Sequence, residues 1–462
     1  MLNMSRRSVL GASLGVATAS VLSRPYIAKA AAKTADVWWT QGFIPEEDAA
    51  FRKMAADYEK ISGNTINYSI LPFVALEQKM ISALESGHTP DLISYDGIQT
   101  TLAMSAWNSK LVDVSDVVAT QEKLFSKVAL QSTNLYNKVE KRRAYYAVPY
   151  KSASAPFHVW GELVEKAGYK MSDVPDAWID RWNWFKPMQA KLRAKGARRI
   201  YSFGPQITTN GPSDGNNLFN YWLLALGGGG IVTPDGQVHL DDPKVKNAVI
   251  EIIRYFTDAY KDHYTPSGCI SWNDADDNNG FHSKLFVTDL DGTLSTELAM
   301  WNKPKEFANC VTLGLPKGTD GKPAPASVGV IGGMIPKPAL NVEVAKDFMK
   351  YVIQPKVDSD YLKGGLGRWA PVFPEQVKND PFWLNNPDAR LRPHLTPYIQ
   401  ETVLGPAAPD YLAYNPGWAD VEAEQVWGDS YAYVYNDGMT PEKAAEKAFS
   451  RINQLLARYA MV

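Results

Sequence analysis

Cysteine is nearly absent: Cys269 and Cys310 are the only two in 462 residues, so no disulfide framework organises the chain. An oxidising compartment would permit them to pair, but their separation in sequence sets no geometry, and two lone cysteines read first as buried thiols. No apolar run is long enough to span a bilayer. The one candidate, Gly11 to Leu22, is short and rich in Gly, Ala and Ser. Neither sign of charge dominates, with 48 Lys and Arg against 50 Asp and Glu and a formal charge of −2, which argues against nucleic acid or an anionic membrane as partner. No internal repeat or low-complexity tract interrupts the sequence.

What the chain does have begins with an address. Ser5-Arg6-Arg7-Ser8-Val9-Leu10 is a twin-arginine pattern, the mild apolar run follows, and Ala28-Lys29-Ala30 fits a small-x-small cleavage site. Residues 1–32 are therefore expected to be a signal peptide, directing a protein with no membrane anchor to the periplasm. The leader carries Arg6, Arg7, Arg24 and Lys29 and no acids, so its removal takes the formal charge to −6. The remaining length exceeds what one core usually supports, and two domains are expected. Aromatics are plentiful, with 14 Trp and 23 Tyr, which suits both cores and the flat faces of sugar rings.

The first hundred residues alternate. A strand at Ala35 to Thr40 precedes a helix at Glu46 to Ile61, with Phe51, Met54, Ala55, Tyr58 and Ile61 on one face and Gly63 at its end. A strand at Asn64 to Leu71, a helix carrying Leu76, Met80, Ile81 and Leu84, and a strand at Pro90 to Tyr95 follow. This β-α-β-α-β order predicts a parallel sheet wrapped by helices, with ligands beyond the carboxyl ends of its strands. Further on, strands at Tyr145 to Tyr150, Pro156 to Trp160 and Ile200 to Gly204 and helices at Trp178 to Ala194, Asn216 to Leu226 and Pro243 to Tyr260 make a second α/β lobe. Strands at Val311 to Leu315 and Ser327 to Pro336 and a helix at Ala345 to Val352 come next. The tail from Trp418 reads as two helices split by Asn436-Asp437-Gly438, the second capped by Thr440 with Pro441 at its first position.

Lys284 to Leu294 carries the sharpest chemistry. Leu285 to Leu290 is a buried strand running into Asp291-Gly292-Thr293, with Thr293 or Ser295 placed to cap a helix. One reading is catalytic. Asp-x-Asp-Gly-Thr after an apolar strand resembles the nucleophile motif of haloacid-dehalogenase-type phosphatases, with Asp289 as nucleophile and Asp291 as acid and base beside magnesium. That reading needs a downstream Ser or Thr, a Lys and an acidic pair for magnesium, and no clear acidic pair stands at a strand end before Val462. The other reading places Asp291 and Thr293 in a ligand cleft, where a carboxylate accepts two hydroxyl donors, or leaves Asp291 as a helix cap. Elsewhere, Gln41 and Phe43 end the first strand. Tyr95 and Asp96 end the third, where Asp96 binds hydroxyls or closes a turn. Trp272 sits in a polar loop, suited to stacking, whereas Trp222 falls in an apolar helix face. The loop Asn273 to Gly280, with Asp274 within reach of a ligand, fails the calcium-loop register because its glycine comes one place late and position twelve is Leu285. Gly333 and Met334 allow close backbone approach or mark a bulge. Arg368 and Trp369 end a glycine loop, where Arg368 grips a carboxylate or hydroxyls or makes an ion pair.

In order along the chain, Trp38 to Phe43, Thr89-Pro90-Asp91-Leu92-Ile93, Tyr146-Ala147-Val148-Pro149, Ala225-Leu226-Gly227-Gly228, Phe281 to Lys284, Val328-Gly329 with Gly333-Met334-Ile335, and Gly438-Met439-Thr440-Pro441 form a set. That set resembles the extracellular solute-binding proteins of ABC importers, the carbohydrate-binding group related to maltose-binding protein. The resemblance implies an α/β, two-lobed periplasmic-binding-protein fold. It implies hinge crossings near Tyr150 to Ser154, near Leu285 to Gly292 and before Ala339, which puts Tyr150 at the ligand. Lobe 1 would comprise 33–150 and 291–338, lobe 2 would comprise 151–290 and 339–417, and 418–462 would pack on both. The implied function is delivery of a carbohydrate or polyol to an ABC permease by a monomer, with no cofactor, no metal, no nucleic acid and no catalysis. The alternative is an exported magnesium-dependent phosphatase or carbohydrate-active hydrolase. Ser283-Lys284-Leu285 and Asp291-Gly292-Thr293 depart from the family pattern at the expected cleft, which points away from the usual sugar.

Overall fold

The computed structural model describes residues 33–210, 213–273 and 275–459. The leader with its twin arginines, and Asp274, lie outside the described residues. Among the described residues, no helix is long and apolar enough to cross a membrane.

Twelve strands run β1 Thr34–Thr40, β2 Thr65–Leu71, β3 Leu92–Ser94, β4 Asn134–Asn137, β5 Arg142–Tyr145, β6 Val148–Ala153, β7 Phe157–Trp160, β8 Tyr201–Phe203, β9 Phe286–Leu290, β10 Cys310–Leu313, β11 Ala326–Met334 and β12 Ala407–Pro409. The first sheet has the order β12-β11-β3-β1-β2, with β6 also paired to β11. Its β1, β2 and β3 are parallel, and β11 runs antiparallel to β3 and β6. The second sheet has the order β10-β7-β9-β8, with β8 and β9 parallel and β7 antiparallel to β9 and β10. Strands β4 and β5 form a separate hairpin.

Local chemistry accounts for the first unit. Alternation along β1 buries Val37 and Trp39, and Trp39 stacks on Phe51 at 4.3 Å, while Trp38 faces away under Lys79. The helix Pro45–Ser62 starts with Pro45 and three acids in its first turn, which suits the partial positive charge there. Phe51, Met54, Ala55 and Tyr58 form its buried stripe, and Gly63 at φ 74° ends it by donating to the Glu59 carbonyl. In the second unit, Trp178, Trp182, Trp222, Tyr255 and Phe256 make a contiguous aromatic core, so Trp222 is a packing residue.

The chain passes from β6 in the first sheet to β7 in the second through Ser154 to Pro156, close to the expected first crossing. Two expected boundaries move. Strand β9 lies wholly within the second sheet, and β10 joins the same sheet, so the return to the first sheet falls between Leu313 and Ala326. The helices Val342–Val352 and Pro355–Gly364 pack on the helix Pro45–Ser62, which puts 342–364 with the first sheet. Strand partners are chosen by long-range packing, which the apolar pattern of a four-residue strand does not encode. The tail also differs: its first helix breaks at Gln425, where φ is 52°, into Trp418–Ala423 and Val426–Tyr435.

The two crossing strands are tied together. The Tyr221 hydroxyl accepts from the Ala155 amide and donates to the Ser327 carbonyl, both at 2.6 Å.

Candidate functional site

The carboxyl ends of the parallel strands of both sheets converge on β6 and the residues just after it. From the first sheet, Asp96, past the end of β3, accepts from Lys151 Nζ at 2.7 Å. From the second sheet, the Thr293 amide, past the end of β9, donates to the Ser154 carbonyl at 2.9 Å. Strand ends carry unpaired backbone groups and irregular loops, so ligand-binding residues collect there.

On the first-sheet side the charges are paired. Arg368 donates to Glu47 at 3.1 Å and lies 3.9 Å from Asp96, and the Trp369 indole donates to Glu47 at 3.1 Å. Glu47 also accepts from the Phe43 amide, so one carboxylate closes the loop after β1 and anchors the glycine loop 321 residues away. Lys151 Nζ sits 4.2 Å from the Trp369 ring centre. Burial lowers the Lys151 pKa, with Asp96 and Glu47 offsetting it only in part. Burial opposes the Arg368 charge too, but Glu47 and Asp96 outweigh it and its pKa is raised.

Above this layer the surface is apolar and open. Phe43 is 48% exposed, Phe73 38% and Val74 60%, and Gln41 is exposed beside them. Phe43 and Phe73 follow the carboxyl ends of β1 and β2. Sequence reasoning missed Phe73 and Val74. The signal was an aromatic directly after a strand, the same position that singled out Phe43.

On the second-sheet side the acids outnumber the cations. Asp291 accepts from Asn278 at 2.5 Å, Thr296 at 3.1 Å and the Gly292 amide at 2.6 Å. Asp289 accepts from the Leu290 amide at 2.9 Å. Burial, and then the neighbouring Asp291, push the Asp289 pKa up to about 8. Burial raises Asp291 as well, and Asp277 well above the carboxylate range with help from Asp291 and Asp289. Carboxylate oxygens of Asp214, Asp277 and Asp291 all lie within 4.8 Å of one another. An all-oxygen set of this kind is what a hard cation such as calcium or magnesium takes, although the hydrogen bonds already made to Asp291 compete for its lone pairs. Beneath, His158 Nδ1 lies 2.6 Å from Glu297 in a fully buried ion pair. Burial disfavours the His158 charge, but Glu297 outweighs it and raises the pKa to about 9; burial likewise opposes Glu297, and His158 outweighs it and lowers the pKa to about 2.

The remaining expected site residues divide between surface and core. Thr293 sits at φ 64° and accepts from the Ser295 amide at 3.0 Å, which closes a turn before the helix; the expected cap by Thr293 or Ser295 is corrected, since the cap position is Leu294 and no side chain caps the helix. Trp272 is half-buried, 6.0 Å from the Phe286 ring. Four residues are corrected to the core. Tyr95 is buried against Phe73 at 4.7 Å. Tyr150 is fully buried beside Trp39 and bonds Ser94. Gly333 lies where a Cβ would meet Met349, and Met334 is fully buried in an apolar cluster. The register shift between Ile331 and Gly332 is the bulge that these glycines permit. Cys269 and Cys310 are both buried and free.

Other proteins share the sequence pattern and the fold. The family model described as "Bacterial extracellular solute-binding protein" matches residues 53–390. The diacetylchitobiose-binding protein DasA of Streptomyces coelicolor is 23% identical over 439 residues, 93% of this chain and 91% of that protein. An ABC-transporter solute-binding protein from Thermotoga lettingae, solved with alpha-D-tagatose, superposes with a TM-score of 0.68 at 18% identity over 92% of this chain and all of that one. The maltose-bound MalE3 of T. maritima does so with a TM-score of 0.67 at 18% identity over 91% and 100%. The fold is thus the two-lobed one of periplasmic binding proteins, and neither the family nor these neighbours support a phosphatase or hydrolase. With the matched model covering most of its length and its strand ends converging on one hinge strand, the chain belongs to the bacterial extracellular solute-binding protein family and is a binder, not an enzyme.

Proposed function

We propose that the protein binds a carbohydrate or polyol between the two sets of strand ends and hands it to the membrane permease of an ABC importer. The observation that carries this is the pairing of exposed aromatics, Phe43 and Phe73, past the strand ends of the first sheet with the hydrogen-bonding residues Asp291 and Thr293 past the end of β9 in the second. Sugars need both: apolar ring faces stack on aromatics, and hydroxyls take carboxylate and amide partners. Gln41, Asp96, Arg368, Trp369 and Trp272 complete the set assigned to the ligand. Closure of the two halves is a population shift set by the ligand's preference for the closed form. Relatives and neighbours named for diacetylchitobiose, tagatose and maltose support the same class.

The charge layout narrows the class. Glu47 and Asp96 already neutralise Arg368 and Lys151, and the opposite side is acidic. A neutral or basic sugar fits this better than a sugar acid. The protein works as an exported monomer, delivered by the twin-arginine route that Arg6 and Arg7 point to, with no nucleic acid partner.

A thermal-shift screen of the purified protein against neutral sugars, amino sugars, polyols and sugar acids tests the reading. A ligand confined to the folded form raises the melting temperature by mass action. Neutral or amino sugars are expected to do so. Stabilisation by sugar acids alone, or by phosphate esters with turnover, would overturn it.

A further inference from the structure

A second cavity, of about 200 Å³, shares no lining residue with the strand-end site. Its walls come from two directions. Asn220 and Leu224 lie on the helix Ser213–Ala225 and Gly230 and Val232 on the loop after it, while Pro409 and Tyr411 come from β12 and the turn that follows. Ser327, at the start of the crossing strand β11, is part of the lining, and its carbonyl is the one Tyr221 holds. The space exceeds the roughly 150 Å³ in which an engineered apolar cavity holds benzene.

Most of the wall is apolar, and two residues that carry acceptors, Asn220 and Asp410, belong to it. Asn220 is 5% exposed, and its side-chain oxygen is buried with no hydrogen-bond partner. The Asp410 carboxylate accepts from the Leu412 amide at 2.9 Å, and the residue is part of the cavity lining. A buried acceptor left without a donor is a standing cost, so a guest that brings a donor gains on entry.

We propose that this cavity is a second small-molecule site, taking a compact apolar molecule that carries a hydroxyl or ammonium donor, with the donor on Asn220 and the apolar body against Leu224, Val232 and Tyr411. Because the guest touches both the helix of the second unit and the edge of the first sheet, its binding is linked to any motion between them.

Benzyl alcohol and benzylamine serve as probes, read by saturation-transfer NMR on the purified protein without sugar. Two variants sharpen the reading. Gly230 has nothing within 4 Å of a built Cβ and no left-handed φ, so Gly230→Phe fills the mouth without backbone strain. Asn220→Leu removes the acceptor and keeps the volume. Both probes are expected to bind the parent protein, to lose binding in Gly230→Phe, and to bind about fivefold more weakly in Asn220→Leu. A crystal soaked with 4-bromobenzyl alcohol, read by anomalous scattering, gives the same answer without any variant. No binding to the parent protein, equal binding to Gly230→Phe, or bromine placed outside the cavity would overturn the proposal. Benzylamine binding that weakens in acid while benzyl alcohol binding does not identifies Asp410 as partner to the ammonium arm; two flat profiles assign both arms to Asn220.

Discussion

The two sides of the site handle buried charge in opposite ways. Beside the first sheet, Lys151 and Arg368 match Glu47 and Asp96, so two basic and two acidic side chains share one layer. Beside the second, Asp277, Asp289 and Asp291 gather with no lysine or arginine paired to them among the described residues, and the His158 charge is taken by Glu297. A compensated layer keeps its charges because each stabilises the next, whereas an uncompensated one escapes the desolvation penalty by holding protons. The second can therefore change its hydrogen-bonding character with pH.

The largest effect should come from breaking the compensated layer. Glu47→Ala removes the partner of Arg368, of the Trp369 indole and of the Phe43 amide, and should cost about 3–5 kcal/mol in urea unfolding. A loss below about 1 kcal/mol would mean the layer is solvated.

Asp289→Asn addresses the other side. The folded protein keeps the Asp289 proton between the ordinary carboxyl value of 3.8 and about 8, whereas the unfolded chain has released it. Raising pH through that window therefore favours unfolding, and stability from this group is greatest at the acid end. The variant should gain on the parent protein as pH rises from 5 to 8, reaching more than about 1 kcal/mol. Parallel pH profiles of stability would show that the acids are ionised.

Smaller still, Phe43→Ala and Phe73→Ala should each weaken sugar binding about fivefold in calorimetry, near 1 kcal/mol, with little change in stability because both rings are partly exposed. Unchanged affinity in both would move the ligand off this surface. Reductant should leave the melting temperature where it is, since Cys269 and Cys310 are free; a fall would reveal a bridge.

Much of the fold was legible because its signals are local. Pro45 and Gly63 bound a helix, Thr440 caps the last long helix by accepting from the Lys443 amide, and alternation marks β1. The strand-end rule pointed to Gln41, Phe43 and Asp96, which lie just past the ends of β1 and β3. It placed Tyr95 at the ligand as well, without the information that Phe73 covers it. Arg368 shows the limit most plainly. Its type and loop left a ligand grip and an ion pair equally open; the ion pair it makes is with Glu47, 321 residues earlier, and no periodicity joins two such positions. The second crossing failed for the same reason, because β10 finds β7 across a fold that exists only once both are in place.

Tyr221 has a consequence for motion. One phenol oxygen fastens the outgoing ribbon at Ala155 to the returning one at Ser327. That tie extends the β6–β11 ladder, which ends at Gly329 with Ala153, so the two ribbons leave the first sheet fastened side by side and the halves should turn about an axis near Tyr221. Removing that tie with Tyr221→Phe would leave the turning possible and make its pivot wander.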